Sequence, residues 1–322
     1  MSKRIFLYIC SLLLCIGLAA PAYGWNDIGH MTVAFLAYQQ LSPTARARVN
    51  DLLKKNPKHD EWMQSLPASA SPEDKDMMIF VIAATWADQI KRDHDYTADG
   101  SAHGDNPEGS ENPTQNTGYD DKKMHKYWHF IDTPFSQDGS ALPDTPSPNA
   151  QTQIAAFRAV LASDSSDDLK SYDLSWLLHL VGDVHQPLHC ATRVSATAPD
   201  GDAGGNRVKL SCSGCSSELH AFWDGLLGQS RPSLVEEVNS VIRSAPNLPD
   251  ADATLAAKSK EQDWVDESFQ EAKQAVYKIP IGRGQGPFQL TTAYKTVAKR
   301  LAIQRVTLAG ARLANLLNNE LR

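Results

Sequence analysis

Apolar residues recur at helical spacing along most of the chain. The stretches with this pattern are 42–55, 74–93, 147–163, 173–186, 233–244, 262–278 and 293–321. Two of them begin with Ser-Pro, which is typical of an N-cap followed by the first helical residue, and Pro187 ends the fourth. Alternating strand-like stretches are scarce, and 206–212 is the best of them. The pattern predicts an all-α protein with at most a small β-hairpin.

Two polar stretches interrupt the predicted helices. Residues 98–121 are rich in Gly, Pro and Asn, and residues 196–206 contain a glycine pair. Both compositions are typical of surface loops. Neither has the composition of a domain linker, so residues 25–322 are expected to form one domain.

The first 24 residues have the pattern of a secretory signal peptide. Lys3 and Arg4 precede a continuous apolar run, and Ala22 and Gly24 supply small residues at the −3 and −1 positions of a cleavage site. Cleavage after Gly24 would leave Trp25 as the first residue of a protein that is periplasmic or extracellular. No later stretch is long and apolar enough to span a bilayer.

The charge balance limits how the protein can bind nucleic acid. The composition is ordinary for a globular protein, with 42% apolar and 21% charged residues. Removal of the signal peptide changes the formal net charge from −7 to −9. Because an acidic chain lacks the basic surface that binds phosphates through counterion release, a nucleic-acid substrate would need another source of positive charge.

Three cysteines follow the signal peptide, namely Cys190, Cys212 and Cys215. The last two have the spacing of a zinc knuckle, but the chain offers no second ligand pair at a matching spacing. In an oxidising compartment two of the three cysteines are expected to form a disulfide. The sequence does not decide which two.

Titratable side chains are concentrated in segments that are otherwise apolar. His179 and Asp183 are four residues apart and share one helix face, and His220 and Asp224 repeat this spacing. His189 lies just past the end of the first of these helices. Imidazole and carboxylate groups that project from rigid helix faces are ligands for divalent zinc, and two such pairs predict a metal site.

Further candidate ligands lie elsewhere in the chain. Asp88 lies near the end of an apolar helix, where an unpaired buried carboxylate is costly. His129 and Asp132 lie in an aromatic run. His30 lies five residues after Trp25. The α-amine of Trp25 becomes free on signal cleavage, and the amine and the carbonyl oxygen of Trp25 can then bind zinc together.

Six motifs follow one another along the chain. In order, they are WNDIGH (25–30), TWADQI (85–90), HFID (129–132), HLVGDVHQPLH (179–189), GGN (204–206) and LHAFWD (219–224). This series resembles the secreted, single-strand-specific zinc nucleases, which are the plant and fungal type I or S1/P1 nucleases and their bacterial relatives. The resemblance extends over essentially the whole chain after residue 24. It implies a mostly helical fold with three zinc ions in one cleft, and a monomer with no stable protein partner.

The resemblance also implies three ligand sets. They are Asp88, His129, His179 and Asp183 for the first ion, His189, His220 and Asp224 for the second, and the amine and carbonyl of Trp25 with His30 and the other oxygen of Asp183 for the third. Asp132 would orient a water on zinc, or alternatively cap the following turn. His185 would support the site or contact another helix, or else be solvated, whereas His59, His94, His103 and His125 are expected on the surface.

The implied reaction is hydrolysis of single-stranded DNA or RNA to 5′-phosphorylated nucleotides, with 3′-nucleotidase activity as a related reaction. Three zinc ions would bring six positive charges against three aspartates, which would supply the positive charge that the acidic chain lacks. Zinc lowers the pKa of a bound water to about 7. Four aromatic residues adjoin predicted ligands, and the sequence does not identify which of them stack on bases; they are Trp86, Trp128, Phe130 and Trp223.

Two departures from the family pattern concern substrate contacts. Gly225 follows Asp224, where fungal members often have Asn, and the segment after HFID is shorter and lacks a second nearby acidic residue. The alternative function is that of a secreted zinc phospholipase C, which has a similar three-zinc site. The short spacing from Trp25 to His30, and Asp rather than Glu at 224, favour the nuclease. A non-catalytic zinc-binding protein would not need three adjacent ions.

Overall fold

The computed structural model describes residues 25–100, 116–211 and 216–322, and the predicted signal peptide lies outside them. The described residues are mostly helical, which confirms the all-α class. The α-helices are α1 (Asp27–Gln39), α2 (Pro43–Leu53), α3 (His59–Ser65), α4 (Pro72–Ala83), α5 (Trp86–Gln89), α6 (Ala150–Leu161), α7 (Asp167–Asp183), α8 (Leu219–Asp224), α9 (Leu234–Ser244), α10 (Ala253–Ala256), α11 (Glu261–Glu271) and α12 (Thr292–Glu320). Short 3-10 helices cover Ile90–Arg92, Gly118–Asp120, Lys126–His129, Pro187–Cys190, Gly225–Leu227 and Ala245–Asn247, and a π-helical turn covers Ala272–Val276.

Helix starts follow local capping chemistry. Ser42 caps α2 by accepting a hydrogen bond from the amide of Ala45, with Pro43 at the first helical position, as predicted. The second Ser-Pro does not start a helix. Asn149 caps α6 instead, because its side chain accepts from the amides of Gln151 and Thr152.

Two helix predictions need correction. The stretch 74–93 forms two helices, α4 and α5, with a break at Ala84 and Thr85. The Thr85 hydroxyl donates to the Ile82 carbonyl at 2.8 Å, and the Ala84 carbonyl bonds a histidine of α7 rather than continuing the helix. Helix α7 begins six residues before the predicted start at 173, because Ser166 caps it through the amide of Leu169.

The strand-like stretch 206–212 forms no regular strand in its described part, although an antiparallel bridge pairs it with the segment before α8. Within its described part, 206–211, the chain forms single bridges, antiparallel from Lys209 to Glu218 and parallel from Leu210 to Phe288. Instead, β1 (Pro134–Ser136) and β2 (Thr192–Val194) form a short parallel pair, with Pro134 opposite Thr192. These two strands join the segments that follow His129 and His189.

Helix α7 is the central element of the core. Every residue from Ser171 to Asp183 is buried, which is the pattern of a helix packed on all sides. Helices α1, α2, α6 and α12 pack against it. Within the described residues, none of the helices has the length and apolar character needed to cross a membrane.

Cys190 lies in this core, next to one end of α7. It is buried and free, so a disulfide that includes it is not formed. The prediction that two of the three cysteines pair stays untested for Cys212 and Cys215, because both lie outside the described parts of the chain.

Candidate metal centre

Eight buried histidines and aspartates meet at one end of α7. They form three groups whose ligand atoms lie within 4.8 Å of one another inside each group. The groups are His30, Asp88 and His179; His129, His179 and Asp183; and His189, His220 and Asp224. All eight are predicted ligands from the sequence, and they come from six separate elements.

Helix α7 supplies His179 and Asp183 from one face. The Nε2 atom of His179 lies 3.2 Å from Oδ2 of Asp183 and 3.7 Å from Oδ1 of Asp88. On the far side of the ring, Nδ1 lies 2.7 Å from the Ala84 carbonyl, which can only accept a proton. The proton is therefore on Nδ1, and Nε2 offers its lone pair to the site.

The two oxygens of Asp183 face different groups. Oδ2 lies 3.1 Å from Nδ1 of His129, and Oδ1 lies 3.4 Å from Nε2 of His30. Burial alone would raise the pKa of Asp183, but His179 and His189 hold it well below its ordinary value. Asp183 is therefore an ionised carboxylate placed between two groups.

His30 lies in α1 and stacks on His179, with ring centroids 3.7 Å apart. Burial, together with neighbouring His179, lowers the pKa of His30 well below its ordinary value. The close approach of His30 to α7 depends on Gly182, because a Cβ there would lie 2.9 Å from Nδ1 of His30. Neither ring nitrogen of His30 has a hydrogen-bond partner among the described residues.

The third group is arranged around two facing imidazoles. Nε2 of His189 and Nε2 of His220 are 3.1 Å apart. Their Nδ1 atoms lie 2.6 and 2.7 Å from the carbonyls of His129 and Gly204, so these Nδ1 atoms carry the protons. Two lone pairs thus point at each other, with Oδ2 of Asp224 3.5 Å from His220.

These atoms fit a set of metal ions. Unpartnered buried polar atoms are costly, and several lie together here, on His30, His129, His179 and Asp183. Burial, and then the nearby charges of Asp183 and Asp88, raises the pKa of Asp224 well above its ordinary value. Cations between the groups would satisfy the lone pairs and relieve the repulsion among the carboxylates.

Trp25 lies against the same centre. Its indole Nε1 donates to the Gly182 carbonyl at 3.1 Å, and the side chain is fully buried. The amide of Asn26 donates to the Asp224 carbonyl at 3.3 Å. Gly29 leaves room for the indole, because a Cβ there would lie 2.5 Å from the Cβ of Trp25.

Lys91 is a residue of this site that the sequence analysis did not identify. Its Nζ lies 2.8 Å from Oδ1 of Asp88, and its side chain is 4% exposed. Burial would raise the pKa of Asp88, but Lys91 and the nearby histidines lower it. The spacing of three residues between Asp88 and Lys91 on a helix was the signal that could have revealed the pair.

Asp132 does not belong to any of the three groups. It is half-buried and follows Ile131, whose amide donates to the His189 carbonyl at 2.6 Å. Three of the four neighbouring aromatics, Trp86, Trp128 and Trp223, are buried, whereas Phe130 is half-buried. Among these four, Phe130 is therefore the one with surface to offer a base.

Two other histidines lie away from the metal groups. His185 is fully buried and accepts a hydrogen bond from Arg312 of α12 at 2.9 Å. Of the roles predicted for His185, the structure therefore shows contact with another helix. The surface prediction for His125 is wrong. Its side chain is buried between Asp99 and Asp121, at 2.6 and 2.8 Å.

Comparisons with known proteins identify the family of the chain. The model of the S1/P1 nuclease family matches residues 25–322. Endonuclease 3 of Arabidopsis thaliana is 22% identical, over 94% of this chain and 93% of that protein. Nuclease S1 of Aspergillus oryzae and nuclease P1 of Penicillium citrinum are each 24% identical, over 65% and 64% of this chain but only 56% and 58% of their own lengths. The chain therefore belongs to the S1/P1 nuclease family and is an enzyme that hydrolyses nucleic acid.

Proposed function

We propose that residues 25–322 form an exported, monomeric endonuclease that uses three zinc ions to cleave single-stranded DNA and RNA. The observation that carries this proposal is the set of three buried histidine–aspartate groups, whose lone pairs face one another. The products would be 5′-phosphorylated nucleotides, and 3′-mononucleotides would be dephosphorylated at the same centre. Export would follow from the signal peptide at residues 1–24.

The ligand sets are those that the family resemblance implies, and one of them, His189, His220 and Asp224, coincides with an observed group. Asp88, His129, His179 and Asp183 would hold one ion, and His189, His220 and Asp224 a second. The third ion would be held by His30, Asp183 and the main-chain amine and carbonyl of Trp25. The position of Trp25 against Gly182, the residue before Asp183, supports this assignment.

When bound, zinc would act as a Lewis acid on the phosphodiester and lower the pKa of the attacking water to about 7. The chain's own residues prepare this centre. Lys91 holds Asp88 ionised, which a carboxylate ligand requires. Asp132, half-buried three residues after His129, would orient the attacking water.

The burial of the ligands supports single-strand preference. All eight histidine and aspartate ligands are at most 6% exposed. A phosphate must therefore enter a recess, which a flexible strand with splayed bases can do and a stiff duplex cannot. Half-buried Phe130, next to His129, would stack on one base.

The test offers four substrates in parallel to the exported protein. They are denatured DNA, RNA, duplex DNA and a phosphatidylcholine emulsion, each with and without a chelator. We expect cleavage of the first two, much slower cleavage of duplex, 5′-phosphate ends, and about three zinc ions per chain by atomic emission. Chelation should abolish the activity, and added zinc should restore it.

Two outcomes would contradict the proposal. Cleavage of the emulsion without cleavage of nucleic acid would identify a phospholipase C instead. Full nuclease activity in protein with one zinc ion or none would show that the histidine–aspartate groups serve another purpose.

A further inference from the structure

Asp202 is a buried carboxylate outside the three metal groups. It is 1% exposed and lies in the glycine-rich loop between β2 and α8. Its Oδ1 accepts hydrogen bonds from the amide of Arg193 at 3.0 Å, from the amide of Gly205 at 3.2 Å and from the hydroxyl of Tyr277 at 3.0 Å. A buried carboxylate with three donors from three parts of the chain holds those parts in register.

The segment that Asp202 holds has an unusual backbone. Ala203, Gly204 and Gly205 follow one another at φ values of 52°, 57° and 83°. Side chains rarely tolerate this left-handed region, so the turn needs support from outside itself. The carboxylate of Asp202 gives that support through the amide of Gly205, and its carbonyl accepts from the amide of Arg207 at 3.1 Å.

Gly204 brings the turn close to the metal centre. A Cβ at this position would lie 2.6 Å from the carbonyl of Leu188, the residue before His189. The carbonyl of Gly204 lies 2.7 Å from Nδ1 of His220. Since a carbonyl only accepts, it keeps the proton on Nδ1 and directs Nε2 of His220 toward His189.

The other side of Asp202 is anchored by Arg193 of β2. Nε of Arg193 lies 3.4 Å from Oδ2 of Asp202, and the guanidinium lies over the ring of Tyr277 at 4.7 Å. Its two terminal nitrogens donate to the carbonyls of Gly282 and Gly284 at 2.6 and 2.7 Å. The carboxylate of Asp202 is therefore paired with the guanidinium of Arg193 on one side and hydrogen-bonded to the turn at 203–205 on the other.

We propose that Asp202 is a positioning residue for His220, and that it sets the affinity of the group His189, His220 and Asp224 for its metal ion. Asp202 acts through the Gly204 carbonyl and does not touch the ion. The proposal rests on the proposed function, because it requires that this group bind zinc.

The test is the substitution Asp202→Asn in the full exported protein. Asparagine keeps one carbonyl oxygen for the amides but loses the charge that faces Arg193. Supporting groups behind metal-binding histidines typically contribute 10- to 100-fold in affinity, so we expect one of the three zinc ions to bind about 10- to 100-fold more weakly. The readout is the number of zinc ions retained in competition with a chelator of graded concentration.

A matched control is Asp200→Asn, two residues earlier in the same loop and exposed. It should retain zinc like the wild type. Tyr277→Phe removes one of the three donors to Asp202, and it should weaken the same ion to a smaller extent. This second variant decides the question if Asp202→Asn does not fold.

A double substitution identifies the affected ion. If Asp202 acts through His220, adding Asp202→Asn to His220→Ala should cause no further loss of zinc. The inference would be overturned if Asp202→Asn weakened the binding of all three zinc ions equally or left zinc affinity unchanged. If Asp202→Asn is unfolded, unchanged zinc affinity in Tyr277→Phe would overturn it. A wild-type protein that binds no zinc would instead overturn the proposed function.

Discussion

Asp183 has a different histidine at each of its two carboxylate oxygens. Asp183→Asn keeps the shape but replaces one oxygen with an amide nitrogen, which does not bind zinc. We therefore expect the first and third ions to be lost, the His189 group to keep its ion, and nuclease activity to fall by orders of magnitude. Atomic emission gives the zinc content per chain.

Asp173→Asn is the matched control on the same helix. Burial raises the pKa of Asp173 to about 8, which favours the neutral acid, and an amide is a close match for that form in size and charge. The control should keep three zinc ions. A zinc content of three in Asp183→Asn as well would show that Asp183 does not bridge two ions.

Trp25 gives a second prediction at the scale of one residue. If its α-amine binds zinc, one additional residue before Trp25 turns that amine into an amide, whose lone pair is delocalised into the carbonyl. Protein with one extra N-terminal residue should bind two ions normally and the third poorly, with a sharp fall in turnover. Protein exported through its own signal is the comparison, and equal zinc content and equal turnover in the two would exclude Trp25 as a ligand.

At the scale of elements, the end of α7 is held by a buried cation. Arg305 of α12 donates to the His185 carbonyl at 3.1 Å and to the Ser268 hydroxyl at 2.6 Å, and that hydroxyl donates to the Val184 carbonyl at 2.5 Å. Arg305→Leu leaves the His185 carbonyl without this donor and removes the bond to the Ser268 hydroxyl, while Glu267 keeps Arg312 and Lys258 as partners. Loss of the donor to a buried acceptor typically costs about 1–3 kcal/mol, and we expect a decrease of this size in the free energy of unfolding.

Urea denaturation of the zinc-loaded protein measures this change. Arg300→Leu, an exposed position on the same helix, is the control and should alter the free energy of unfolding by less than about 0.5 kcal/mol. An equally small effect of Arg305→Leu would mean that α7 is held in place by apolar packing alone.

The bounds of a helix could be predicted from the sequence where local signals, such as an N-cap or a periodic apolar pattern, determine them. The Ser42-Pro43 start of α2 and the long periodic pattern of α12 agree with the structure to within one or two residues. The break after α4 was not predictable, because 74–93 contains no Gly or Pro and the break accompanies a bond from the Ala84 carbonyl to His179. A contact across 95 residues leaves no trace in local periodicity.

The site residues, too, could be predicted where the signal is local and not where it depends on distant contacts. Paired ligand spacings and motif order led to all eight histidines and aspartates of the centre. Lys91 was missed because a single lysine at the polar end of a helix resembles a surface residue. His125 was misplaced because Asp99 lies 26 residues earlier in the chain and reaches it only on folding, although its other partner, Asp121, is four residues away.

For the whole molecule, the His125 cluster predicts a pH dependence of stability. Asp121 and Asp99 raise the pKa of His125 against the effect of burial, and Asp99 has a lowered pKa. A raised histidine pKa contributes stability that is present below the ordinary value of 6.5 and is lost as the pH rises through the folded pKa. The carboxylate contribution is present above the ordinary value of 3.8 and is lost at lower pH.

His125→Gln should therefore lower Tm more at pH 5.5 than at pH 9. The cluster also contains Tyr127, which donates to Asp99 at 2.7 Å and retains this bond in the variant. Exposed His94→Gln is the control, and it should leave Tm unchanged at both pH values. A difference in Tm that is the same at pH 5.5 and pH 9 would show that His125 is not protonated in the folded protein.

The metal groups draw on residues from His30 to Asp224, and α1, which carries His30, packs against α12 at the far end of the chain. A chain that is still leaving the ribosome therefore lacks His220 and Asp224, and later lacks the packing of α12 against α1. We expect nuclease activity only after these parts have been synthesised and have folded. The transcript being translated would then not be a substrate of the unfinished chain.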